Sequence, residues 1–325
     1  MLVVSRAEVE SLLDLDALRN AVGAAMRAVS AGSVSMPPRI AAIVPNRGLV
    51  AAMPAYLPDP DQVAVKLVTL FPGNTTLPTH QALIVVFSPD TGEPVALLDG
   101  TSITVARTAA ASALSAELLA RPESSTLAIL GTGEQARAHA HALMRVRPIR
   151  TVLVAGRSPD RVRSLVAELS SSLPATVEAS PSFAEASKEA DIVCATTHSP
   201  EPIVHLASLR TGAHVISVGY NTAGREVDSA TVAASIVVVE SREAVLAAPP
   251  SGANDLRVPI DEGLIGPDHI HAELGELVAG TRPGRTSPDQ ITLYKSVGIA
   301  AQDAAAAGLV LEAARAAGVG RDITM

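Results

Sequence analysis

The chain of 325 residues contains no tryptophan and few other aromatic side chains. With three tyrosines and three phenylalanines, its core must be built from aliphatic residues. Proteins that stack successive nucleic-acid bases need aromatic faces, which this sequence cannot supply in number. The formal net charge is −8 and no block of Lys and Arg interrupts it, so we expect no nucleic-acid partner.

Cysteine and long apolar runs are also scarce. The single cysteine, Cys194, excludes an intramolecular disulfide and zinc-type cysteine clusters, and we expect no metal. Cys194 lies in an apolar run, residues 192–195, which favours a buried small hydrophobe over a nucleophile. No run approaches the roughly 20 apolar residues that span a bilayer, and residues 1–6 lack the pattern of a signal peptide. We therefore expect a cytoplasmic protein with no membrane partner.

A glycine-rich turn is the strongest local motif. Residues 127–130 form a short apolar run that ends at Gly131 and Gly133, and a helix-forming run, residues 134–145, follows at once. This strand–turn–helix context is the one in which G-x-G-x-x-A indicates dinucleotide binding. Gly131 permits the turn, Gly133 lets a pyrophosphate approach, and the helix start offers unpaired N–H groups.

The hydrophobic pattern divides the chain into two kinds of structure. Residues up to 32 are predicted to be helical, with a capping box at Ser5 and Glu8 and a cap of the next segment at Asp14 or Asp16. Short strand-like runs then follow without intervening helices at residues 39–44, 49–55, 62–70, 81–88 and 94–98, which predicts a mainly antiparallel sheet.

After an alanine-rich helix at residues 104–121, strands alternate with helices. The predicted strands are residues 126–130, 151–155, 175–178, 191–195, 214–218 and 236–239. This alternation is typical of a doubly wound parallel sheet, whereas residues 247–285 look like a looser polar segment. We expect the last helix, residues 297–317, to return to the first domain. The predicted fold is α/β, with a Rossmann domain of residues 119–295 and an α+β substrate and dimerisation domain of residues 1–118 and 296–325.

The second strand of the Rossmann domain indicates the cofactor. NAD sites usually carry an acidic residue there for the ribose 2′-hydroxyl, but this strand is followed by Gly156, Arg157 and Ser158. Arg157 and Arg161 are suited to a 2′-phosphate, so we predict NADP(H), with NAD(H) possible. The alternative is that both arginines are simply solvated. After the fourth strand, Thr196 can offer a hydroxyl to the cofactor, and His198 is more often incidental than catalytic.

Three cations of the first domain lie in apolar surroundings: Arg39, Lys66 and Arg107. A buried cation is costly unless it is paired or faces a polar cavity. Together the three predict an anion-binding, carboxylate-type site. Lys66 shares a sheet face with Ala64 and Val68, and the alternative is that it reaches solvent.

Several ordered motifs resemble those of the ornithine cyclodeaminase/mu-crystallin family over nearly the whole chain. They lie at residues 36–39, 53–56, 65–68, 71–74, 98–100, 104–110, 131–136, 224–228 and 291–298. The resemblance implies a homodimer joined through the N-terminal sheets and a site in the cleft between domains. It also implies that Arg39 and Arg107 hold a substrate carboxylate and that Lys66 gives or takes a proton at the reacting C–N group.

The resemblance extends to the remaining site residues. Met53 and Asn221 are assigned to substrate binding. The residues assigned to the cofactor are Thr108, Gly131, Thr132, Gly133, Glu134, Gln135, Arg157, Ser158, Arg161, Thr196, Gly219 and Ser296. Asn221 stands nearest to the acidic residue expected in a cyclodeaminase, and Asp228 is interpreted as a helix cap. Lys295 resembles the dehydrogenase and reductase members.

These features predict an NADPH-dependent reductase of 2-imino acids, with delta-1-pyrroline-2-carboxylate giving proline as the best candidate. One alternative is an ornithine cyclodeaminase or an alanine-dehydrogenase-type enzyme acting on a 2-amino acid. The other is a non-catalytic NADPH-dependent binder of small ligands.

Overall fold

The computed structural model describes residues 1–219, 224–248 and 251–324. The chain forms two compact units, Met1–Arg107 with Gly298–Met325, and Thr108–Val297. The boundary between the two units that follows Arg107 therefore lies inside a helix, Gly100–Leu119. The domain limits predicted from the sequence, after residues 118 and 295, stay predictions.

The first unit is built on a mainly antiparallel sheet, as predicted. Its strands are β1 (Leu2–Val4), β2 (Ile40–Val44), β3 (Gly48–Pro58), β4 (Asp61–Leu70), β5 (His80–Phe87), β6 (Pro94–Asp99) and β15 (Arg321–Asp322). In the described part of the chain they form one seven-stranded sheet in the order β15-β1-β6-β5-β4-β3-β2. β2 to β6 pair as antiparallel neighbours, and β1 pairs in parallel with β6.

The N-terminal segment departs in part from the prediction. Helix throughout residues 1–32 is wrong for β1, because this three-residue run is stabilised by β6 and β15, which are distant in sequence. The capping signals are confirmed for α1 (Arg6–Leu12) and α2 (Leu15–Ser30). The Glu8 carboxylate accepts from Ser5 N at 2.7 Å, and the Asp14 carboxylate accepts from Ala17 N at 2.7 Å.

The last helix, α11 (Ala300–Ala317), belongs to the first unit, as expected. It packs against α2, β3 and β4, and its alanines let it approach the sheet closely. The sheet face beneath it is buried, with Ala64 and Val68 at most 8% exposed. Leu67, on the opposite face, is 41% exposed, so α11 decides which side of the sheet is core.

The second unit contains a parallel sheet, as predicted. Its strands are β7 (Thr126–Leu130), β8 (Thr151–Ala155), β9 (Thr176–Ala179), β10 (Ile192–Ala195), β11 (His214–Ser217), β12 (Ser235–Val239), β13 (Ile270–Glu273) and β14 (Ile291–Lys295). Within the described ranges the eight strands are all parallel, in the order β13-β12-β14-β11-β10-β7-β8-β9. β10 and β11 are buried at every position, as expected of strands covered on both faces.

The remaining helices are α3 (Gly100–Leu119), α4 (Glu134–Met144), α5 (Pro159–Ser172), α6 (Phe183–Glu189), α7 (Ser229–Ala234), α8 (Arg242–Leu246), α9 (Asn254–Asp261) and α10 (Leu274–Val278). Short 3₁₀ turns lie at Leu206–Ser208 and Pro267–His269. None of the helices described is long and apolar enough to cross a membrane.

Two strands of the parallel sheet were not predicted. β13 lies in the segment read as loosely polar, where its Ile-His-Ala-Glu pattern is too short to identify a strand. β14 enters the middle of the sheet with buried Thr292 and Lys295. A strand with polar residues at buried positions lacks the apolar pattern that identifies a strand in the sequence. Thr292 and Lys295 can be buried because their hydrogen-bond partners come from other elements.

Candidate functional site

Lys66 of β4 points to the buried face of the first unit's sheet and is only 3% exposed. The antiparallel register places Met53 of β3 and Ile84 of β5 directly beside it, and residues in such positions share a face. Both neighbours are buried. The alternative that Lys66 reaches solvent is therefore wrong, because its side chain lies beneath the elements that cover this face.

A buried carboxylate of α11, Asp303, joins two of the predicted cations. Asp303 Oδ2 lies 2.6 Å from Lys66 Nζ, and Asp303 Oδ1 lies 2.9 Å from Arg107 Nε. This residue was not predicted from the sequence. The signal was available, because Gln302 and Asp303 interrupt an alanine-rich helix just as Arg107 interrupts α3.

Gly298 brings the two predicted arginines to one place. Arg39 Nη2 donates to the Gly298 carbonyl at 3.0 Å, and Arg107 Nη1 donates to Gln302 Oε1 at 2.7 Å. Gly298 has φ +75°, and a Cβ added there would lie 2.8 Å from Arg107 Nη2. A glycine is therefore required for both steric and conformational reasons.

The environment of Lys66 changes its proton affinity. Burial lowers its pKa to about 8, an effect that Asp303 opposes and that Arg107 and Arg39 reinforce. Burial alone would raise the pKa of Asp303, but Arg107 and Lys66 overcome it and hold this pKa below its ordinary value. A lysine of this kind is mostly protonated at neutral pH and loses its proton just above it.

The first unit thus pairs two buried cations, Lys66 and Arg107, with one carboxylate, and Arg39 lies close enough to lower the pKa of Lys66 further. Such a cluster attracts an anion, and the arginine forks are suited to a carboxylate. A lysine with a pKa of about 8 is suited to general acid–base catalysis near neutral pH. The roles assigned to Arg39, Lys66, Met53 and Arg107 stay predictions.

The glycine turn of the second unit has the geometry of a phosphate cradle. Gly131 has φ +130°, and a Cβ there would lie 2.5 Å from Thr196 Oγ1. Gly133 is the N-cap of α4, and a Cβ there would meet no described atom within 4 Å. Glycine at this second position is not required by packing, and the space it leaves beside the helix start fits a pyrophosphate.

The neighbours of the turn also fit a dinucleotide. Thr132 and Gln135 are half-buried and Glu134 is exposed. Gln135 Oε1 is buried and has no hydrogen-bond partner among the described residues, so it is free to accept from a ligand hydroxyl or amine. The cofactor contacts assigned to Thr132, Glu134 and Gln135 are compatible with this geometry and stay predictions.

The end of β8 carries the predicted 2′-phosphate residues. Gly156 lies where a Cβ would be 2.9 Å from Thr132 Cγ2. Arg157 and Arg161 are exposed, and Ser158 is the N-cap of α5, with its hydroxyl accepting from Arg161 N. This brings both arginines and the serine to one helix start, where a phosphate is favoured.

The other predicted cofactor residues follow different strands of the same sheet. Thr196, after β10, donates its hydroxyl to Leu130 O at 3.1 Å. Gly219 comes two residues after β11, and Ser296, directly after β14, donates to Glu240 Oε1 at 2.7 Å. Thr108 is the first residue of this unit and is buried. Asn221 lies outside the described residues.

A buried ionic network beside Gly219 was not predicted. It links Glu226, Asp255 and Lys295, each less than 5% exposed. Lys295 Nζ lies 3.0 Å from Asp255 Oδ2, and the Asp255 carboxylate accepts from the backbone N–H of Glu226 at 2.9 Å. Glu226 lies inside one of the family-like motifs, which was the available signal.

Three further residues complete the sequence interpretation. Cys194 is fully buried, and burial raises the pKa of its thiol, which confirms that it is a small core residue. Asp228 is confirmed as a helix cap, since it accepts from Thr231 N at 2.7 Å at the start of α7. The catalytic alternative for His198 stays a hypothesis.

Comparison with known proteins gives consistent results over the full chain. The model of the ornithine cyclodeaminase/mu-crystallin family matches residues 1–318. A delta(1)-pyrroline-2-carboxylate reductase of Bacillus cereus is 35% identical over 330 residues, covering 99% of this chain and 99% of the relative.

Solved structures agree in fold. The delta(1)-pyrroline-2-carboxylate reductase of Thermococcus litoralis, in complex with NADH and L-proline, superposes with a TM-score of 0.95 at 39% identity, covering 99% of this chain and 100% of that one. An archaeal alanine dehydrogenase dimer with bound NAD gives a TM-score of 0.93 at 33% identity, covering 100% and 99%. The chain described here belongs to the ornithine cyclodeaminase/mu-crystallin family.

Proposed function

We propose that this protein is a nicotinamide-dinucleotide-dependent reductase of 2-imino acids, with delta-1-pyrroline-2-carboxylate and L-proline as substrate and product. The observation that carries the proposal is the buried Lys66, placed between Asp303 and two arginines, with a pKa of about 8. The B. cereus and T. litoralis relatives support it by their activity, and the latter by its NADH and L-proline.

In this proposal the arginines hold the substrate. The carboxylate on C2 of the imine is bound by Arg39 and Arg107, whose guanidinium groups are brought together at Gly298. Asp303 and Gln302 already accept from Arg107 Nε and Nη1, which fixes the plane of that guanidinium. Holding the carboxylate fixes C2 and the imine nitrogen, and such orientation contributes several kcal/mol to catalysis.

Lys66 acts on the nitrogen of the C=N bond as a proton donor or hydrogen-bond donor. A bound dinucleotide would supply a hydride for C2, and the imine nitrogen would then need a proton. Lys66 Nζ delivers that proton or hydrogen-bonds to an imine that is already protonated. General acid help of this kind is worth about 100- to 10,000-fold in rate. In the reverse direction the neutral amine of Lys66 takes the proton from the amino acid.

We propose NADP(H) as the preferred cofactor, with NAD(H) possible. The support is Arg157, Ser158 and Arg161 at the helix start after β8, in place of an acidic residue. The T. litoralis and archaeal relatives hold NADH and NAD, so the preference depends on this segment of the chain.

A homodimer and a cytoplasmic location belong to the same proposal. β2 to β5 carry a row of apolar residues on the face away from Lys66, formed by Ile40, Ala52, Leu67 and Leu83 in register. Ile40 is 71% and Leu83 47% exposed, and an apolar patch of this kind suits a protein interface. The archaeal alanine dehydrogenase relative is a dimer.

An alanine-dehydrogenase-type activity is the second candidate, favoured by the match to the archaeal enzyme. The same cations would hold the imine of pyruvate and ammonia. Ornithine cyclodeamination is less supported, because Asp228 is used as a helix cap. A binder without turnover is the remaining candidate from another class.

The deciding experiment is a substrate panel followed by the absorbance of NADPH and of NADH. The panel contains delta-1-pyrroline-2-carboxylate, pyruvate with ammonia, and ornithine with oxidised cofactor. The ornithine reaction is followed by the release of ammonia, because cyclodeamination regenerates the oxidised cofactor in each turnover. We expect oxidation of NADPH with the cyclic imine as the fastest reaction. A faster reaction with pyruvate and ammonia, or tight imine binding with no oxidation of either cofactor, would overturn the proposal.

A further inference from the structure

The Glu226 carboxylate connects two loops of the second unit with four hydrogen bonds. Its Oε1 accepts from Thr197 N at 2.6 Å and from Thr197 Oγ1 at 2.8 Å. Its Oε2 accepts from Ser217 Oγ at 2.8 Å and from Gly219 N at 2.8 Å. The side chain is only 2% exposed, so these four donors use its full accepting capacity away from water.

The four donors come from the carboxyl ends of neighbouring parallel strands. Thr197 follows β10, and Ser217 ends β11. β10 also pairs with β7, the strand that leads into the glycine turn. Thr196, the neighbour of Thr197, donates both its N–H and its hydroxyl to Leu130 O, at 2.9 and 3.1 Å. Ligands of doubly wound sheets bind at this edge.

The two loops lie so close that only glycine fits between them. A Cβ on Gly219 would lie 2.1 Å from Thr197 O and 2.3 Å from Glu226 Cδ. Backbone and carboxylate are therefore in direct contact, and the spacing of the loops depends on the Glu226 side chain.

Asp255 and Lys295 stabilise the position of Glu226 through its backbone and through Gly219. Asp255 Oδ1 accepts from the backbone N–H of Glu226 and of Val227, both at 2.9 Å. Lys295 Nζ pairs with Asp255 Oδ2 at 3.0 Å and donates to Gly219 O at 2.8 Å. The N–H of Gly219 thus donates to Glu226, and its carbonyl accepts from Lys295. The ion pair of Lys295 with Asp255 connects these two contacts, because Asp255 also binds the backbone of Glu226.

We infer that Glu226 is a positioning residue for the nicotinamide end of the bound dinucleotide, an inference that rests on the proposed function. It acts through Thr197 and Gly219. The loop of Thr197 borders the glycine turn, since a Cβ on Gly131 would lie 2.5 Å from Thr196 Oγ1. The pyrophosphate cradle at Gly131 and Gly133 lies between β7 and the start of α4, and none of the four hydrogen bonds of the Glu226 carboxylate goes to it. Removing the Glu226 charge therefore disturbs the placement of the nicotinamide and leaves most of the cofactor affinity in place.

The test compares Glu226→Gln with a matched control, Asp191→Asn. Asp191 is also a buried carboxylate of this sheet and accepts from Ser125 N and Thr126 N at 2.9 and 3.1 Å. It lies at the amino end of β10, at the opposite edge of the sheet. For each variant we would measure Tm, Kd for NADH, the fluorescence of bound NADH and kcat with delta-1-pyrroline-2-carboxylate, and repeat the cofactor measurements with NADPH.

The reduced nicotinamide of NADH absorbs at a longer wavelength than any protein side chain, so the emission of bound NADH is read without protein background. We expect Glu226→Gln to lower kcat on the order of 100-fold, as misplacement of a reacting group does, and to lower the emission of bound NADH while Kd changes little. Asp191→Asn should lower Tm alone. Thr197→Val removes a single donor to Glu226 and should lower kcat and the emission of bound NADH by a smaller factor. It replaces Glu226→Gln in the test if that variant does not fold.

The inference is overturned if Glu226→Gln leaves kcat and emission as in the wild type, or if it loses affinity for NADH in proportion to kcat. It is also overturned if Asp191→Asn changes the emission equally. Failure of the proposed function is distinguishable, since wild-type protein would then bind NADH or NADPH without oxidising either of them. The emission of bound NADH would still report on Glu226 in that case.

Discussion

Lys66 Nζ and Asp303 Oδ2 are 2.6 Å apart, and both side chains are at most 3% exposed. Neither residue is stable there alone, because an unpaired buried charge costs several kcal/mol. The negative charge of Asp303 stabilises the protonated form of Lys66 on a buried sheet face. The pKa of about 8 for Lys66 is the balance between burial, which lowers it, and Asp303, which raises it.

This balance predicts a pH dependence. Imine reduction uses protonated Lys66, so kcat/KM should fall as the pH rises through about 8. In Asp303→Asn the opposing charge is gone and the break should move to lower pH. Profiles of kcat/KM against pH for both proteins give the result. Asp191→Asn is the control, because Asp191 is a buried carboxylate of the second unit that accepts from Ser125 N and Thr126 N. A break that stays in place or moves upward in Asp303→Asn would show that Lys66 is not the titrating group.

Gly298→Ala should weaken substrate binding. The added Cβ would lie 2.8 Å from Arg107 Nη2 at φ +75°, so the arginine must shift away from the carboxylate position. We expect a higher KM for the imino acid. Gly318→Ala is matched, because it has φ +64° and no described atom near the new Cβ. Both variants should lose about 1–3 kcal/mol of stability from backbone strain, and an unchanged KM in Gly298→Ala would exclude this role for Arg107.

Arg157→Ala should reduce the preference for NADPH. A guanidinium–phosphate contact is worth about 1.5–3 kcal/mol, so kcat/KM with NADPH should fall roughly 10- to 100-fold, while that with NADH changes little. Arg163→Ala, which removes an exposed arginine paired with Asp160, is the control. Equal losses with both cofactors would remove Arg157 from 2′-phosphate recognition.

Leu67→Glu and Leu83→Glu should separate the proposed homodimer. The two leucines are neighbours in register on the exposed face of the first unit's sheet, and a buried carboxylate without a partner is strongly unfavourable. Sedimentation velocity measures the assembly state. Leu264→Glu, at an exposed leucine of the second unit, should leave it unchanged. A wild-type monomer, or dimers that survive both changes, would contradict the proposal.

The sequence predicted those features of the fold that have a local cause. The glycine turn, the Ser5 and Asp14 caps and the apolar strands of the parallel sheet could be identified because their residue patterns express the structure directly. β1 and β14 could not, because both depend on partners distant in the chain. β14 in addition buries Thr292 and Lys295, so its composition resembles that of an exposed segment.

The site shows the same division. Arg39, Lys66 and Arg107 were identified because cations are conspicuous in apolar strands and helices. Asp303 and Glu226 were missed, because an acidic residue acquires significance only when its partners are known. The side of the sheet to which Lys66 points was open for the same reason. α11, which is more than 200 residues away in sequence, covers that face and supplies Asp303.

The most direct test of the account is the loss of the Lys66 amine. Lys66→Met keeps an apolar stem of similar length, and Lys188→Met, at an exposed lysine paired with Glu185, is the control. With delta-1-pyrroline-2-carboxylate and NADPH, kcat of Lys66→Met should fall about 100- to 10,000-fold, while the Kd for NADPH stays near that of the wild type. Full activity in Lys66→Met would contradict the central claim that Lys66 supplies the proton for imine reduction.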